Sequence, residues 1–292
     1  MSEPRVHLVF GTTGQVGYDL VRELAPLGRV IGLSRAEADL ERLETVRDAI
    51  RLHRPAIIWN AAAATAVDAL EDDPDLAFRV NATAPGVMAE EARRLGALLV
   101  HFSTDYVFDG RKADPYLEDD PPNPLNVYGR SKLAGEIGIL QAGGQSLILR
   151  TSWVYSTRGR NFLRTMAHLG AREDSVRVVS DQVGSPSWSR QLARTCTLLR
   201  LRAGNPDSPA GIMHVTGAGA CSRYQFACSI RDQLIEKGVS WKAVLVPVTT
   251  REYGSQAVRP ANSVLGNDRL RRVLGHGLPA WQSSLREAAA EL

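Results

Sequence analysis

A short apolar run that leads into three glycines constrains the fold of this chain more than any other feature. The run, Val6-His7-Leu8-Val9-Phe10, predicts a buried parallel strand. The turn Gly11-Thr12-Thr13-Gly14-Gln15-Val16-Gly17 follows, and apolar residues at helical spacing predict a helix over 18–24. In a strand, glycine-rich turn and helix of this kind, backbone N–H groups and the helix dipole face a bound diphosphate. A plain turn before a helix remains the alternative explanation of the glycines.

A tyrosine and a lysine four residues apart, Tyr128 and Lys132, form the second informative pattern. Residues at this spacing lie on one face of a helix, about one turn apart. We therefore expect Lys132 to stabilise the phenolate of Tyr128 and to lower its pKa, so that the phenol can exchange a proton near neutral pH. The spacing also arises by chance on surface helices, and it gains weight here because the glycine-rich turn precedes it in the same half of the chain.

The first half of the chain alternates strand and helix signals. Further strands are predicted at 29–33, 56–60, 98–102 and 146–150, and helices at 44–51, at 75–95 with Pro85 near its middle or at a break, and at 128–140. Such alternation predicts an α/β fold, a doubly wound parallel sheet of the Rossmann-like type with helices on both faces. Ligands bind at the carboxyl ends of the strands in these sheets. The glycine-rich turn, Asn60-Ala61-Ala62-Ala63 and Ser103-Thr104-Asp105 all fall at those ends.

The alternation becomes weaker after about residue 151, where turn-rich segments such as 181–186 and 247–260 separate short helices and strands. We expect 1–150 to form a dinucleotide-binding domain, joined by a helix near 190–201. Residues 151–292 are expected to form a smaller, irregular α/β substrate-binding lobe, with another helix near 224–237. Because the chain has no internal repeat and no low-complexity linker, the two lobes are expected to pack tightly.

Composition and charge narrow the functional classes. A hydrophobic content of 44% and a charged content of 23% are ordinary for a soluble globular protein. The net charge of +3, without a basic run interleaved with aromatics, argues against nucleic-acid binding. Three cysteines without a CxxC pair, Cys196, Cys221 and Cys228, argue against disulfides and a zinc site. With neither a signal peptide nor an apolar run that could span a membrane, we expect a cytoplasmic protein.

Several longer motifs together resemble the extended short-chain dehydrogenase/reductase superfamily, and within it the reductases of nucleotide-linked keto sugars. The motifs are GTTGQVG at 11–17, NAAAATAVDALE at 60–71, STDYVFDG at 103–110, PLNVYGRSKLAGE at 124–136, RTSWVY at 150–155, NF at 161–162, DQVGSP at 181–186 and RPANS at 259–263. The resemblance covers essentially the whole chain. It implies a hydride passed from NAD(P)H to the C4 ketone of a dTDP-bound 6-deoxy-4-keto sugar, which is the expected small-molecule partner.

The resemblance also assigns roles to individual residues. It implies that Tyr128 donates a proton to the developing alkoxide, that Lys132 holds the nicotinamide ribose, and that Thr104 hydrogen-bonds the carbonyl oxygen. Arg259 and Asn262 are expected to meet the diphosphate or nucleotide. The full set of substrate-binding candidates is Thr65, Val67, Ser103, Thr104, Asp105, Tyr106, Trp153, Asn161, Gln182, Arg259 and Asn262. Purely structural roles remain the alternative for Trp153, Asn161 and Gln182.

The cofactor candidates include a clue to cofactor choice. Besides Tyr128 and Lys132, they are Gly11, Thr13, Gly14, Gln15, Val16, Gly17, Ser34, Arg35, Asp39, Leu40, Ala61, Ala62 and Ala63. An acidic residue after the second strand would favour NAD, but this chain has Ser34-Arg35 there. A hydroxyl and a guanidinium suit a 2′-phosphate, so we expect NADPH. Asp39-Leu40 is expected to border the adenine and to leave NADH acceptable.

The resemblance also bears on two further properties, the presence of a bound metal and the oligomeric state. Some members of the superfamily are magnesium-dependent dimers with acidic residues at the subunit interface. After DQVGSP this chain instead reads Ser187-Trp188-Ser189-Arg190-Gln191, and the arginine would repel a divalent cation. We therefore expect no structural metal, and either a monomer or a homodimer.

Three alternatives to a C4 reductase remain open. An epimerase or 4,6-dehydratase of the same superfamily would share the glycine-rich turn and the tyrosine–lysine pair, although STDYVFDG together with RPANS favours a reductase. A reductase that acts on another dTDP-deoxysugar would share all of the motifs. A non-catalytic protein, resembling the regulatory subunit of methionine adenosyltransferase, is disfavoured because Thr104, Tyr128 and Lys132 are all present.

Overall fold

The computed structural model describes residues 5–202 and 210–292. The strands of this part of the chain are β1 (Val6–Phe10), β2 (Arg29–Leu33), β3 (Ile57–Asn60), β4 (Leu98–Thr104), β5 (Ser146–Thr151), β6 (Val154–Tyr155), β7 (Ser175–Val179), β8 (Val183–Gly184), β9 (Ser187–Trp188), β10 (Gly211–His214), β11 (Cys221–Ser222) and β12 (Val244–Val248). Six of them form one sheet in the order β2-β1-β3-β4-β5-β10, and all neighbours in it are parallel.

Helices connect and cover these strands. They are α1 (Gln15–Leu24), α2 (Leu43–His53), α3 (Ala69–Asp72), α4 (Pro74–Phe78), α5 (Ala84–Leu95), α6 (Val127–Gln141), α7 (Phe162–Arg172), α8 (Ser189–Arg202), α9 (Arg223–Glu236), α10 (Thr250–Tyr253), α11 (Asp268–Leu274) and α12 (Trp281–Ala289). Short 3-10 segments lie at Ala25–Leu27 and Asp105–Val107, and a π-helical segment lies at Arg79–Thr83. In the described residues, no helix is long and apolar enough to cross a membrane.

The six-stranded sheet is covered on both faces. Helices α2, α5 and α6 pack on one face, in a core that includes Phe10 and Ile50. Helices α1, α8 and α11 pack on the other, in a core that includes Val9 and Leu192. Because successive residues of a strand point to opposite faces, a strand covered on both sides is mainly apolar, as β1 is apart from His7. The predicted doubly wound α/β fold is confirmed.

One predicted helix is divided. The segment 75–95 was expected as a single helix, but it consists of α4, the π-helical segment Arg79–Thr83 and α5. Pro85 has no N–H, and its ring would clash in a regular helix with the carbonyl of Asn81; the wider π turn relieves both problems. The Asn81 carbonyl instead lies so close to α6 that a Cβ added to Gly135 would be 2.2 Å from it.

The sheet also recruits residues from the second half of the chain. One of its two edge strands is β10, and α8 and α11 pack on the sheet beside α1. We call β1–β5 and β10, together with α1–α6, α8 and α11, the sheet half. The remaining elements and the segment 255–267 form the cover lobe, whose core includes Tyr155, Phe226 and Trp281. A domain boundary near residue 150 stays a prediction.

The strands of the cover lobe are short and pair two by two: β7 with β12, β8 with β11, and β6 with β9. Four of these six strands belong to pairs only two residues long. The predicted helices near 190–201 and 224–237 are present as α8 and α9. Such short ladders pair few backbone groups, and side chains must satisfy many of the others.

Candidate active site

The glycine-rich turn and the end of β3 lie in contact. Gly11 has φ +82°, and a Cβ added to it would lie 2.9 Å from the Ala62 Cβ. A Cβ on Gly17 would lie 2.2 Å from the Gly11 carbonyl oxygen, so only glycine allows this approach. Gly14 is the N-cap of α1 and offers no side-chain cap, which leaves the first N–H groups of the helix without a side-chain partner at that position.

This cradle fits the diphosphate of a dinucleotide cofactor. The N-terminus of α1 carries the positive end of the helix dipole, and backbone N–H groups point toward the cradle. The Gln15 Oε1 is buried and has no hydrogen-bond partner among the described residues. Thr13 is exposed at the same turn, and Val16 packs into the core below it. The residues that would hold a dinucleotide are therefore those of the turn and of Ala61-Ala62-Ala63.

The residues after β2 lie in an acidic surrounding. The N–H and the Oγ of Ser34 both donate to Glu37 Oε2, at 2.7 Å. The exposed guanidinium of Arg35 is paired with Glu41, and its Nε lies 3.5 Å from Asp39 Oδ1. Leu40 is buried beside them. A 2′-phosphate at this place would meet the guanidinium only by competing with these carboxylates.

Helix α6 is anchored at its first turn by Asn126. The Asn126 Oδ1 accepts the N–H of Gly129 at 2.8 Å, and its Nδ2 donates to the Val258 carbonyl at 2.8 Å. A Cβ added to Gly129 would lie 2.2 Å from the Tyr106 carbonyl oxygen, so the helix packs directly on the turn Asp105–Val107. This packing brings Tyr128 to the end of β4, where Thr104 lies.

Thr104 and Tyr128 are brought together as the motifs indicated. The Thr104 Oγ1 accepts the N–H of Tyr106 at 3.2 Å and donates to Asp105 Oδ1 at 3.1 Å. The rings of Tyr106 and Tyr128 meet edge to face, 5.7 Å apart. Burial raises the pKa of Tyr128 well above its usual value, while a hydrogen bond with Thr104 acts in the opposite direction. The expected lowering of the Tyr128 pKa by Lys132 is therefore wrong for this structure.

Lys132 is directed away from the phenol and into the sheet. Its Nζ donates to the Phe102 carbonyl at 2.6 Å and lies 3.1 Å from His101 Nε2. Burial lowers the pKa of the Lys132 amine to about 8, although the carboxylate of Glu136 acts in the opposite direction. The lysine is thus held by β4, which explains why it does not depress the pKa of Tyr128.

Ser103 points into the core. Its Oγ donates to Glu136 Oε1 at 2.5 Å, and Glu136 in turn pairs with Arg150 through Nε at 2.9 Å and Nη2 at 2.7 Å. All three side chains are buried. Because neighbouring residues of a strand face opposite sides, Thr104 can face the site only if Ser103 does not. The contact with Glu136 gives Ser103 a structural role, and its binding of substrate stays a prediction.

Trp153 lies in a tight and partly strained place. Its φ is +46°, which is unusual for a bulky residue, and a Cβ added to Gly184 would lie 2.4 Å from its indole Cε2. The guanidinium of Arg223 stacks on the indole, 3.7 Å from the ring centroid, and is within hydrogen-bonding reach of Tyr106. The glycine of DQVGSP therefore fits against the tryptophan of RTSWVY.

Arg223 is a site residue that the motifs did not indicate. Burial lowers the pKa of its guanidinium, and Asp105 and Tyr106 act in the opposite direction. The Asp105 Oδ2 is buried without a partner in the described part of the chain, and burial raises the pKa of this carboxyl. The capping box of Ser222 and Gln225 could have located the start of α9, but no sequence signal distinguishes Arg223 from other arginines.

Arg259 joins the cover lobe to the loop after β3. Its Nη2 lies 2.6 Å from Asp68 Oδ2 and its Nη1 lies 3.1 Å from Asp68 Oδ1. The hydrogen bonds from Arg259 lower the pKa of Asp68. Thr65 is exposed and Val67 is half-buried on the same loop. Arg259 is also within hydrogen-bonding reach of Tyr106, so two guanidiniums converge on that phenol.

Three other substrate-binding candidates have structural roles. The Asn161 Oδ1 caps α7 and its Nδ2 donates to the carbonyls of residues 156 and 158. The Gln182 Nε2 donates to Thr250 Oγ1 at 3.0 Å. The Asn262 Nδ2 donates to the carbonyls of residues 112 and 113, and its Oδ1 accepts the N–H of residue 264. Their predicted roles in substrate binding stay predictions, because the described contacts engage all three amides within the protein, those of Asn161 and Asn262 with backbone groups and that of Gln182 with a hydroxyl.

Arg190 forms an ion pair within the chain. Its Nη2 donates to Glu291 Oε2 at 2.7 Å, and its guanidinium lies 4.8 Å from the Trp188 ring centroid. No group of three or more metal-ligating side chains occurs within residues 5–202 and 210–292. The absence of a structural metal stays a prediction, as does the choice between monomer and homodimer.

The parallel sheet, the glycine cradle and the Tyr-x-x-x-Lys pair together define a dinucleotide-dependent enzyme of the short-chain dehydrogenase/reductase type. The family model of the RmlD substrate binding domain matches residues 5–292, so the chain belongs to the dTDP-4-dehydrorhamnose reductase family. The resemblance found in the motifs is confirmed.

Similar proteins agree with this assignment. A relative from Burkholderia thailandensis named dTDP-4-dehydrorhamnose reductase is 44% identical over 290 residues, which are 94% of this chain and 95% of the relative. One of the same name from Escherichia coli K12 is 39% identical over 291 residues, 98% of this chain and 97% of the relative. A dTDP-4-dehydrorhamnose reductase from Bacillus anthracis, solved in complex with NADP, has a TM-score of 0.92 at 34% identity and covers 99% of this chain and 100% of its own.

Proposed function

We propose that this chain reduces the C4 ketone of dTDP-4-dehydro-L-rhamnose to dTDP-L-rhamnose, with NADPH as the cofactor. The observation that supports this most directly is the position of Thr104 and Tyr128 at the carboxyl end of β4, beside the glycine cradle. The relatives carry the same activity in their names, and one was solved with NADP.

In this proposal Tyr128 is the proton donor. When bound, the cofactor supplies the hydride. The phenol of Tyr128 is protonated at neutral pH, as a group that must donate a proton to a developing alkoxide has to be. Thr104 would orient the same oxygen, and its hydroxyl proton is now donated to Asp105. In the complex, the reacting oxygen of the substrate would accept the Thr104 hydroxyl in place of Asp105. Thr104 and Tyr128 would then both donate to that oxygen.

The cover lobe would bind the nucleotide end of the substrate. Arg223 and Arg259 approach Tyr106 from two elements and carry the positive charge that a diphosphate requires. Trp153 is retained as a substrate contact, with its indole held in place by Gly184 and by the stacked guanidinium of Arg223. Thr65 and Val67 lie at the rim, where cofactor and substrate would meet. The proposal retains these residues and does not depend on Ser103, Asn161, Gln182 and Asn262.

The test measures oxidation of the cofactor, which is monitored as the loss of absorbance of the reduced nicotinamide. Wild type and Tyr128→Phe are compared with dTDP-4-dehydro-L-rhamnose generated in situ. Phenylalanine keeps the ring that packs on Tyr106, and we expect kcat to fall by about 10²–10⁴-fold from the loss of the proton donor. Product analysis then fixes the configuration at C4 and separates this reductase from an epimerase, a dehydratase or a reductase for another sugar. A folded wild type that binds NADPH but consumes none would remove the assignment and favour the non-catalytic alternative.

Cofactor choice has its own test. In Arg35→Ala we expect kcat/KM with NADPH to fall by about 10-fold, because the guanidinium contributes a charge-assisted contact to the 2′-phosphate. The value with NADH should change little. A matched control is Arg42→Ala on the same surface, which should affect neither cofactor. An equal loss with both cofactors would show that Arg35 acts on the fold of the loop rather than on the phosphate.

A further inference from the structure

The chain supplies a carboxylate at the end of β2, three residues after the position where NAD-binding folds of this kind carry an acid. The Glu37 Oε2 accepts the N–H and the Oγ–H of Ser34, both at 2.7 Å. A turn makes this contact possible, because the N–H groups of Glu37 and Ala38 donate to the Ser34 carbonyl at 3.1 and 3.0 Å. Ala38 is buried in the core of the sheet half, whereas Glu37 is exposed. The carboxylate therefore lies where a ligand can reach it.

Ser34 presents a small anion site, and Glu37 fills it. A backbone N–H and a hydroxyl converge on one oxygen, and hydrogen bonds to an ionised acceptor are among the stronger ones in proteins. These bonds lower the pKa of the Glu37 carboxyl, which therefore carries its charge at neutral pH. The two donors of Ser34 are groups that a 2′-phosphate would need at this place. In this structure a carboxylate of the chain itself uses them.

The charges around Ser34 do not favour a further anion. The loop between β2 and α2 begins with one arginine that is followed by three acids. Arg35 is paired with Glu41, and its Nε lies 3.5 Å from Asp39 Oδ1. Within the described residues Glu37 forms no ion pair, so its charge is offset only by the two donors of Ser34. A phosphate that approached these donors would meet a like charge at hydrogen-bonding distance.

A second contact of the same type shows what a purely structural role looks like. In the cover lobe, Glu252 Oε2 accepts the N–H and the Oγ1–H of Thr249 at 2.7 and 2.8 Å, and Thr249 Oγ1 accepts the Glu252 N–H at 3.2 Å. This reciprocal capping box starts α10. At Ser34 the Glu37 N–H donates to the carbonyl instead, and in the described segment that follows the next helix is α2, which begins only at Leu43. The contact at Ser34 therefore closes a turn beside the candidate cofactor site and caps no helix.

We propose that Glu37 is a specificity-determining residue, which competes with the 2′-phosphate of NADPH for the donors of Ser34. The inference rests on the proposed function in that it concerns the cofactor of that reaction. A cofactor without a 2′-phosphate leaves the contact between Glu37 and Ser34 in place. A 2′-phosphate must displace the carboxylate, which then turns to solvent, and it gains Ser34 and Arg35 in exchange. Glu37 thus limits the preference for NADPH over NADH that Ser34 and Arg35 would otherwise give.

The direct test is calorimetric titration of the full chain with 2′,5′-ADP and with 5′-AMP, two ligands that differ only in the 2′-phosphate. Glu37→Ala frees both donors of Ser34 and removes the charge. We expect the Kd for 2′,5′-ADP to fall by about 10-fold, because a like charge disappears from a partly solvated site. The Kd for 5′-AMP should change by less than about twofold, since this ligand does not compete for Ser34. An unchanged Kd for 2′,5′-ADP, or an equal gain for both ligands, would overturn the proposal.

Further variants separate competition for the donors from charge alone. In Glu37→Gln the amide oxygen can still accept from Ser34, so the gain in affinity for 2′,5′-ADP should be smaller than in Glu37→Ala. Equal gains would assign the effect to charge and overturn the competition. Glu252→Ala removes the matching contact in the cover lobe, and Glu44→Ala removes a charge from α2 that is paired with Arg47. Both should leave the two Kd values unchanged, and a gain for 2′,5′-ADP in Glu44→Ala that equals the one in Glu37→Ala would reduce the effect to net charge and overturn the proposal.

A kinetic measurement separates this inference from the proposed function. If the substrate assignment is right, the ratio of kcat/KM with NADPH to that with NADH should rise by about 10-fold in Glu37→Ala, through a lower KM for NADPH. If the wild type reduces no keto sugar, the proposed function fails, but the titrations still decide the role of Glu37. If neither 2′,5′-ADP nor 5′-AMP binds to the wild type or to Glu37→Ala, the cofactor site itself is misassigned and the inference fails with it.

Discussion

The sheet half and the cover lobe use polar side chains in different ways. At the ends of the long parallel strands, the ladders satisfy most of the backbone, and polar side chains contact other side chains: Thr104 contacts Asp105, and Lys132 contacts His101. In the cover lobe, Asn161, Gln182 and Asn262 are occupied with backbone carbonyls, turn hydroxyls and helix caps. A polar residue of a motif is therefore free to act on a ligand only where the surrounding backbone does not require it.

The largest expected effect lies in the buried ion pair of the sheet half. Glu136→Gln leaves Arg150 in the core without a counter-charge, and we expect the free energy of unfolding to fall by about 3–5 kcal/mol. Chemical denaturation measures this change. The matched change in the cover lobe is Lys242→Met, which breaks an exposed pair with Asp174 and should have no measurable effect.

A double substitution makes the same contrast sharper. Glu136→Leu combined with Arg150→Met removes both buried charges, and most of the lost stability should return because neither charge is left unpaired. Recovery would show that the loss comes from an isolated charge. If the double variant is as unstable as Glu136→Gln, the shape of the pair and its bond to Ser103, rather than its charge, hold the core together.

Glycine substitutions compare the rigidity of the two regions. In Gly129→Ala the new Cβ meets the Tyr106 carbonyl, a backbone atom that cannot move without the strand end, and we expect a loss of about 1–3 kcal/mol together with a fall in kcat. In Gly184→Ala the Cβ meets the Trp153 indole, which can tilt, so the loss of stability should be smaller and KM should rise. Thermal unfolding and steady-state kinetics measure both.

Gly86→Ala is the control for both glycine variants. A Cβ at this place in α5 meets nothing within 4 Å, so we expect a gain of up to about 1 kcal/mol from helix propensity alone. If Gly184→Ala were as damaging to stability as Gly129→Ala, the cover lobe would be as rigid as the sheet half.

A smaller effect is expected at Asn262. Asn262→Ala removes bonds to backbone carbonyls and should cost about 1–2 kcal/mol of stability, with KM for the nucleotide sugar unchanged. Arg259→Ala, three residues earlier, should instead raise KM, because it removes a guanidinium near Tyr106. A rise in KM for Asn262→Ala that matches the one for Arg259→Ala would return Asn262 to the substrate-binding set.

The smallest effect concerns metal removal. We expect a chelator to change neither the rate nor the oligomeric state, because Arg190 lies in the segment after DQVGSP and is paired with Glu291. Enzyme assays and size-exclusion chromatography with and without chelator measure this. Loss of activity that added magnesium restores would contradict the prediction.

Predictions from the sequence were more successful for the sheet half than for the cover lobe. The glycine-rich turn, the strand ends and the Tyr-x-x-x-Lys pair are local patterns, and the predicted fold and family are confirmed. The direction of a side chain at a strand end was harder to predict. Ser103 and Thr104 are neighbours, and only the fold shows which of the two faces the site. The stack of Arg223 on Trp153 joins residues seventy positions apart, so no local pattern could have indicated it.

The edge strand β10 comes late in the sequence, and this position affects both which fragments of the protein can be stable and how the protein folds. Strand β5 pairs with β4 on one side and with β10 on the other, and β10 comes sixty residues later in the chain. A fragment that ends at Thr151 would expose the unpaired edge of β5 and lose α8, which covers one face of the sheet. During synthesis, the sheet can close only after strands β6–β9 and helix α7 of the cover lobe, and helix α8, have left the ribosome. Refolding should accordingly be slow and sensitive to protein concentration, because an open apolar edge is a template for aggregation.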